Sequence, residues 1–249
     1  MSLEFGTLWF GKPHTLIQTI SWASFPHYGH KLNVYLYDMS IEIPKGCIKR
    51  DANEIMPESS IFLPKVDTGE GHAQFADFFR INMIKKTNTI WVDSDVICLK
   101  EEWPEHKPYL FGDQFFDPFF FGPYYLNNDV LYIQDSKLLD ELLEKIKEPP
   151  SLYVHSAIMA GDLLTSLVRK NKLEQYILPE YVFHPINWHH ADYFIRTDKF
   201  NLAMDMIKNS TAVSLWNSSW YSHNIIELLK DDLDENTVMG YFAKKFGVK

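Results

Sequence analysis

Residues 89–95 read TIWVDSD, a short run of β-branched and aromatic residues that ends in two aspartates separated by a serine. Such a run predicts a buried strand over 89–92. Side chains at positions i and i+2 of an extended segment point to the same side, so Asp93 and Asp95 present two carboxylates together, about 6 to 7 Å apart along the backbone. Because ligands of α/β sheets bind beyond the carboxyl ends of the strands, this pair indicates a binding edge.

Strand-like and helix-like patterns alternate on both sides of this stretch, which predicts an α/β fold with helices flanking a sheet. The chain has 249 residues with 46% hydrophobic content, which suits a single domain with one core. The last twenty residues resemble an added helix or tail. Strands are predicted at 8–10, 32–37, 61–63, 130–133, around 182 and at 212–216, and helices from Pro13 through Ile20, at about 71–86, at 138–146 and at about 156–169.

The composition narrows the classes of partner. A net charge of -9, with only 24 Lys and Arg, argues against a nucleic-acid partner, because phosphate-backbone binding needs clustered basic residues. No transmembrane segment or signal peptide is predicted, since no apolar stretch approaches about 20 residues. Cys47 and Cys98 lack zinc-site spacing and suit a reducing compartment, although one disulfide between them stays an alternative. We therefore expect a cytoplasmic protein, either free or peripheral to a membrane.

The acidic pair predicts a metal site. Ligation by oxygen alone suits Mg²⁺ or Mn²⁺, which share their remaining positions with water and substrate phosphates. An acidic protein also needs a cation if its ligand is an anionic diphosphate. The alternative for the triplet Asp93, Ser94 and Asp95 taken alone is a solvated turn, in which the side chains cap backbone amides.

The surroundings of the triplet resemble a known family. Ala76 and Asp77 with Arg80 three residues later, followed by IWVDSDV at 90–96, resemble the DXD-motif sugar transferases, the sugar-binding-region family related to yeast initiating mannosyltransferases and bacterial capsular polysaccharide transferases. Further matches are LWFG at 8–11, Gly29 and His30 before VYLY at 34–37, Asn127 and Asn128 before a strand, FHPINW at 183–188, and AVSLWNSSW at 212–220.

This resemblance implies a GT-A fold with a Rossmann-like mixed sheet flanked by helices in one domain. The nucleotide-binding part would be about 1–100, the part for donor sugar and acceptor about 101–225, and the C-terminal helix or tail about 226–249. The implied activity is metal-dependent transfer of a hexose from a nucleotide-sugar, UDP- or GDP-hexose, with retention of anomeric configuration. The acceptor would be a glycan, a lipid-linked sugar or a protein.

The resemblance also implies roles for single residues. Asp93 and Asp95 would be the catalytic metal ligands. The last ligand is an open point, because Ser214 stands where many relatives have a histidine; Asn217 is the candidate by analogy with the clostridial glucosylating toxins, and a histidine elsewhere is the alternative. Residues implied in donor binding are Trp9, Phe10 and Gly11 at base and ribose, Tyr37 near the base, Asp77 and Arg80 at ribose, sugar or phosphate, Ser94 within the motif, Asn128 and Asp162 at the sugar, and Trp220 near the last ligand.

Other interpretations compete with these roles. Asp77 and Arg80 could form a helix-surface ion pair worth about 0.2 to 0.5 kcal/mol, and Asn128 and Asp162 could cap loops. A zinc site at His184, His189 and His190 lacks the usual spacing, and these histidines fit a loop better. Residues 115–125, FFDPFFFGPYY, predict an aromatic loop that covers the core, binds an acceptor sugar, or forms a membrane-surface or self-association patch.

Two rival functions remain for the whole chain. A haloacid-dehalogenase-like phosphatase also ends a strand in Asp-x-Asp, and Asp231 and Asp232 could supply its downstream acidic pair; that fold, however, uses its first strand, and here the pair arrives after about ninety residues. A catalytically inactive carbohydrate-binding protein with the same fold is the other.

Overall fold

The computed structural model of the chain describes residues 2–11, 14–61, 71–114, 123–146, 161–222 and 233–248. Its strands are β1 Glu4–Trp9, β2 Lys31–Leu36, β3 Ile48–Asp51, β4 Ile90–Val92, β5 Val96–Cys98, β6 Tyr109–Gln114, β7 Tyr125–Ile133, β8 Ile177–Leu178 and β9 Ala212–Ser214. Its helices are α1 Leu16–His27, α2 Gly71–Thr87, α3 Ser136–Ile146, α4 Leu163–Lys170, α5 Phe200–Ile207, α6 Asn217–Ser222 and α7 Val238–Phe246.

Seven strands form one mixed sheet in the order β3-β2-β1-β4-β7-β6-β8, and β5 pairs with β9 in a second, two-stranded sheet. Strands β3, β2, β1 and β4 are parallel, whereas β7 runs antiparallel to both β4 and β6. The predicted α/β class is therefore confirmed. The chain passes from β1 to β2 and β3 on one side and later places β4 on the other side of β1, which opens a crevice at the carboxyl ends of β1 and β4.

Helices cover both faces of the main sheet. Phe5 of β1 lies in one buried cluster with Trp22 of α1, whereas Leu8 of the same strand lies in the opposite cluster with Phe79 of α2. Helices α3 and α4 contribute to the cluster around Leu8. Because side chains alternate between the faces of a strand, β1 is buried on both sides and carries almost no polar surface.

Helix α1 begins one turn later than a start at Pro13 predicts. Thr15 is its N-cap and forms a capping box with Gln18, in which each side chain bonds to the backbone of the other residue. The structure describes residues from His14 onward here, so Pro13 lies outside it, as do Leu63 of a predicted strand and Ser156 of a predicted helix cap.

Four strands were not predicted, and one prediction was wrong. Strands β3, β5, β6 and β8 lack a clear alternation of apolar and polar residues in the sequence. Val182, predicted in a strand, ends a 3-10 turn over Glu180–Val182. Of the helices that the structure describes, none is long and apolar enough to cross a membrane.

The C-terminal helix α7 belongs to the core. Val238, Met239 and Phe242 are at most 2% exposed, and they lie in one hydrophobic cluster with Ile17 of α1. The sequence predicted a helix or tail here; the helix is present, and it is packed rather than added on.

Candidate active site at the carboxyl ends of β1 and β4

Asp93 follows β4 and is held on three sides. The Trp91 indole Nε1–H donates to its Oδ1 at 2.6 Å, and the Arg80 guanidinium lies 3.0 Å from the same oxygen. Its backbone N–H donates to the carbonyl oxygen of Asp129 at 2.7 Å, which extends the pairing of β4 with β7. The side chain still keeps 30% of its exposure. Asp93 is therefore fixed in place and remains reachable by a ligand.

Asp77 and Arg80 form a buried pair beside Asp93. They are 8% and 4% exposed, with Nη2 of Arg80 3.2 Å from Oδ1 of Asp77. Arg80 also donates through Nη1 to the Asn128 carbonyl at 2.8 Å and lies over the Trp91 ring. Asn128 in turn donates from its side chain to Asp77 at 3.0 Å. Because both side chains are buried and face the acidic pair, they are not a helix-surface ion pair.

A break in strand pairing brings Asn128 and Asp129 to this site. The register between β6 and β7 jumps from Phe111 opposite Leu131 to Gly112 opposite Asn127. The residues of β7 between Asn127 and Leu131 therefore lack partners on β6, as in a large β-bulge, and such bulges commonly redirect side chains toward a functional site.

Asp95 is bound to the segment that follows β9. Its carbonyl oxygen accepts from the Leu215 N–H at 3.0 Å, and its side-chain Oδ2 accepts from the backbone N–H of Asn217 at 2.7 Å. The side-chain Oδ1 of Asn217 is buried and has no hydrogen-bond partner among the described residues. The predicted third ligand therefore lies beside Asp95 with a free acceptor oxygen.

The carboxylates of the site hold their protons more tightly than usual. Burial, opposed by Arg80 and reinforced by the charge of Asp93, raises the pKa of Asp77 to about 6. Burial together with the charge of Asp93 raises the pKa of Asp95 to about 7, and burial also raises the pKa of Asp93. Several acidic groups thus share one site with a single arginine, which is an environment that favours a cation.

These residues fit a hard divalent cation. Asp93, Asp95 and Asn217 offer oxygen ligands only, as Mg²⁺ and Mn²⁺ prefer, and the unpartnered amide oxygen of Asn217 is the kind of group that a bound ion would satisfy. Among the residues described, no three His, Cys, Asp or Glu side chains gather into a metal site. The fit therefore depends on the amide oxygen of Asn217.

The residues predicted at base and ribose lie at the carboxyl ends of two neighbouring strands. The Phe10 ring, just beyond β1, lies 6.3 Å from the ring of Tyr37, just beyond β2, and 5.3 Å from that of Phe75. The Tyr37 hydroxyl donates to the Met56 carbonyl at 3.0 Å. Gly11 is exposed with φ of 94°, a backbone conformation that suits glycine.

The remaining predicted residues lie at different depths. Trp9 is partly buried, with its ring 6.2 Å from that of Trp22, and Ser94 lies in the turn between β4 and β5. Asp162, just before α4, is hydrogen-bonded to the hydroxyl of Tyr125. Burial is the main cause of the raised pKa of Tyr125, and Asp162 raises it further. Trp220 is fully buried and donates to the carbonyl of Leu215. It therefore supports the Asn217 segment from within the core.

The sequence did not predict the partners of His184. This buried ring lies 2.6 Å through Nδ1 from the Asp113 carbonyl and 2.9 and 3.0 Å through Nε2 from the two carboxylate oxygens of Asp129. Burial lowers the pKa of His184, but the contact with Asp129 outweighs it, so the pKa is raised overall. Asp129 interrupts the apolar pattern of β7 directly after Asn127 and Asn128. This run of three polar residues inside a strand is the sequence feature that could have indicated Asp129 as a site residue.

The remaining sequence features either lie away from this site or fall outside the residues that the structure describes. His189 and His190 are exposed and stack on Trp188 and Tyr193, so they do not join His184. Residues 115–122 of the aromatic loop and the acidic pair at 231–232 lie outside the described residues. Strand β1 ends in TLW, followed by Phe10 and Gly11, so the first strand carries no carboxylate of the kind a haloacid-dehalogenase-like phosphatase needs there.

Comparison with known proteins points to glycosyl transfer. Residues 163–239 match the family described as "Alpha 1,4-glycosyltransferase conserved region", and this match includes α4, β9 and the Asn217 segment. A solved structure titled "PaToxG Glycosyltransferase" shares 13% identity with the chain, covers 99% of it and 87% of its own length, and has a TM-score of 0.48; likeness at this level assigns no role to any residue. No curated protein matches the chain in sequence. The family match over residues 163–239 thus supports glycosyl transfer.

Proposed function

We propose that the chain is a metal-dependent glycosyltransferase of the GT-A type that moves a hexose from UDP- or GDP-hexose to a glycan, a lipid-linked sugar or a protein. The observation that carries this proposal is the grouping of Asp93, Asp95 and the unpartnered oxygen of Asn217 at the carboxyl end of β4. The family match over 163–239 supports the same chemistry.

In this proposal Asp93, Asp95 and Asn217 hold Mn²⁺ or Mg²⁺. The ion, when bound, neutralises the charge that develops on the departing nucleoside diphosphate. Arg80 and the Trp91 indole keep the Asp93 carboxylate in one orientation, because both contact the same oxygen. A ligand carboxylate held in this way needs no rearrangement when the donor binds.

The donor would lie in the crevice between β1 and β4. Phe10 and Tyr37 present aromatic rings for the base, and Gly11 allows the backbone to come close to the ribose. Asp77 and Asn128, already bonded to each other, face the sugar side of the site. Trp9, Ser94 and Asp162 are proposed as further donor contacts, and buried Trp220 as a support for Asn217.

Retention of configuration is part of the proposal. Asp93 and Asp95 are needed for the ion, and Asp77 is bound to Arg80 and Asn128, so none of the three is free to act as a nucleophile. We therefore propose attack on the same face of the sugar that the phosphate leaves, with the departing phosphate accepting the proton of the acceptor hydroxyl.

Calorimetric titration of UDP and GDP, with and without Mn²⁺, tests this function. We expect one of the two nucleotides to bind at least about tenfold more tightly when Mn²⁺ is present, since the cation would offset the negative charge of the carboxylates near the phosphates. Equal binding with and without the metal would contradict the proposal. Hydrolysis of generic phosphate esters would favour the phosphatase, and binding without transfer from any activated sugar would favour an inactive carbohydrate-binding protein.

A further inference from the structure

His184 has both ring nitrogens committed in the interior. Nδ1 faces the backbone carbonyl of Asp113, so it carries a hydrogen and donates it. Nε2 faces both oxygens of Asp129, so that a proton lies between the ring and the carboxylate. A ring flip would place carbon atoms against these acceptors. The orientation of His184 is therefore fixed by β6 on one side and by β7 on the other.

The candidate metal site has two halves, Asp93 on one side and Asn217 with Asp95 on the other. The pair formed by His184 and Asp129 contacts both. On the first side, the Asp129 carbonyl accepts the backbone N–H of Asp93. On the second side, the His184 ring lies 5.5 Å from the Trp216 ring at an angle of 37°, and the next residue is Asn217. The backbone N–H of Asn217 in turn holds Asp95.

The surroundings of the pair are shaped to admit this ring. Gly112 faces it, and a Cβ at that position would lie 2.9 Å from the Phe183 ring and 3.2 Å from the His184 ring. Trp216 adopts φ of 57°, a conformation rare for a bulky residue, and its indole donates to the Ile186 carbonyl at 2.7 Å. Packing on His184 and this hydrogen bond together hold Trp216 in the conformation that aims Asn217 at Asp95.

We propose that His184, through its hydrogen bonds to Asp129, is a positioning residue that fixes the Asp93 half and the Asn217 half of the metal site relative to each other. This inference rests on the proposed function. Neither His184 nor Asp129 is a ligand in it. They act through the backbone of β7 and through Trp216, in the way that residues behind metal ligands set the affinity of a site.

Two double variants test the proposal without leaving a buried charge unpaired. His184→Phe with Asp129→Asn keeps a ring against Trp216 but removes the hydrogen bonds. His184→Gln with Asp129→Asn removes the charge but keeps a donor and an acceptor. His27→Phe is the control, because His27 is exposed at the end of α1, just before the start of β2 and therefore at the amino ends of the strands, away from the site. Mn²⁺ affinity of the metal-free protein is measured by calorimetry, together with thermal melting, kcat and KM.

We expect the Phe/Asn variant to bind Mn²⁺ about 10- to 100-fold more weakly and to lose kcat by a similar factor, with a smaller change in the KM of the donor. The Gln/Asn variant should regain most of both, and His27→Phe should match the parent protein. Mn²⁺ affinity of the Phe/Asn variant within about twofold of the parent would overturn the proposal. Absence of Mn²⁺ binding by the parent protein would instead contradict the proposed function. The two proposals therefore fail on different measurements.

If the Phe/Asn variant does not fold, the Gln/Asn variant decides alone. Because it keeps the hydrogen bond between positions 184 and 129, it must bind Mn²⁺ within about threefold of the parent. A tenfold or larger loss in that folded variant would show that the hydrogen bond between positions 184 and 129 does not fix the two halves of the site, and it would overturn the proposal.

Discussion

Among single residues, Asn217 is the one on which the candidate metal site depends most, because its backbone N–H holds Asp95 and its side-chain oxygen has no partner among the described residues. The motif at 93–95 predicts two ligands from spacing alone, and the resemblance adds Asn217 as a candidate third. Only the fold brings Asn217 against Asp95, because 122 positions separate them in sequence. Asp129 and His184 were not predicted as a pair for the same reason: their contact joins β7 to a distant turn.

Removing the unpartnered oxygen of Asn217 should affect the stability of the metal-free protein and its affinity for Mn²⁺ in opposite directions. A buried acceptor without a partner costs about 1–3 kcal/mol, so Asn217→Ala should leave the metal-free protein equally stable or more stable. The same change should weaken Mn²⁺ binding about tenfold or more, since it removes a ligand oxygen. Denaturant unfolding and calorimetry on the same samples measure the two effects.

Asn209→Ala is the matched control, because Asn209 lies in an exposed turn. Unchanged Mn²⁺ affinity in Asn217→Ala would remove Asn217 from the ligand set and return the choice of third ligand to the histidines.

At the scale of elements, apolar pattern predicted the centre of the fold better than its edges. Strands β1, β2 and β4 are largely buried and rich in apolar residues, and helix α2 buries one face through Phe75, Phe79 and Met83. Strand β3, with the sequence IKRD, is half exposed at the edge of the sheet; its pairing with β2, rather than its composition, makes it a strand. Helix α7 was predicted, but its burial depends on α1, which lies far away in sequence.

Helix α7 provides the test at this scale. Phe242 is 2% exposed in the cluster shared with α1, so Phe242→Ala should lower the free energy of unfolding by about 3–5 kcal/mol. Lys244 on the same helix is exposed and, among the described residues, forms an ion pair with Glu235 at the surface, so Lys244→Ala should change the free energy of unfolding by no more than about 0.5 kcal/mol. Denaturant unfolding measures both. Equal, small effects would mean that α7 is an added tail.

At the scale of the whole molecule, the chain concentrates negative charge where its parallel strands end. The net charge of -9 does not show where on the molecule the negative charge lies. The fold gathers four aspartates around Arg80 at the carboxyl ends of the strands: Asp77, Asp93, Asp95 and Asp129. A binding site at the carboxyl ends of the strands was expected from the position of Asp93 and Asp95 directly after a strand. The antiparallel β7 and its bulge, which bring Asn128 and Asp129 into the site, were not, because strand direction is not encoded in a local pattern.

This concentration of charge predicts how stability depends on pH. The pKa values of Asp77 and Asp95 are raised to about 6 and about 7 in the folded chain, above the ordinary value for an unfolded carboxyl. Between pH 5 and 8 the folded state therefore binds more protons than the unfolded state, and stability falls as pH rises through this window. Melting temperatures of the metal-free protein should decrease from pH 5 to pH 8.

Saturating Mn²⁺ should flatten this dependence, because the ion replaces protons at the carboxylates. Asp95→Asn should reduce the slope of the metal-free protein, since one titrating group is lost. A melting temperature of the metal-free protein that rises with pH over the same range would contradict the electrostatic description of the site.

A screen of nucleotide-sugars that measures release of nucleoside diphosphate tests directly whether the chain is a glycosyltransferase. We expect metal-dependent release from UDP- or GDP-hexose, with a loss of at least about 10² in Asp95→Asn, because this change removes a ligand carboxylate of the ion that neutralises the charge on the leaving group. Asp198→Asn is the control, since Asp198 is exposed in a surface ion pair with Arg196, and it should retain full activity. Unchanged activity in Asp95→Asn would show that the triplet at 93–95 is only a turn.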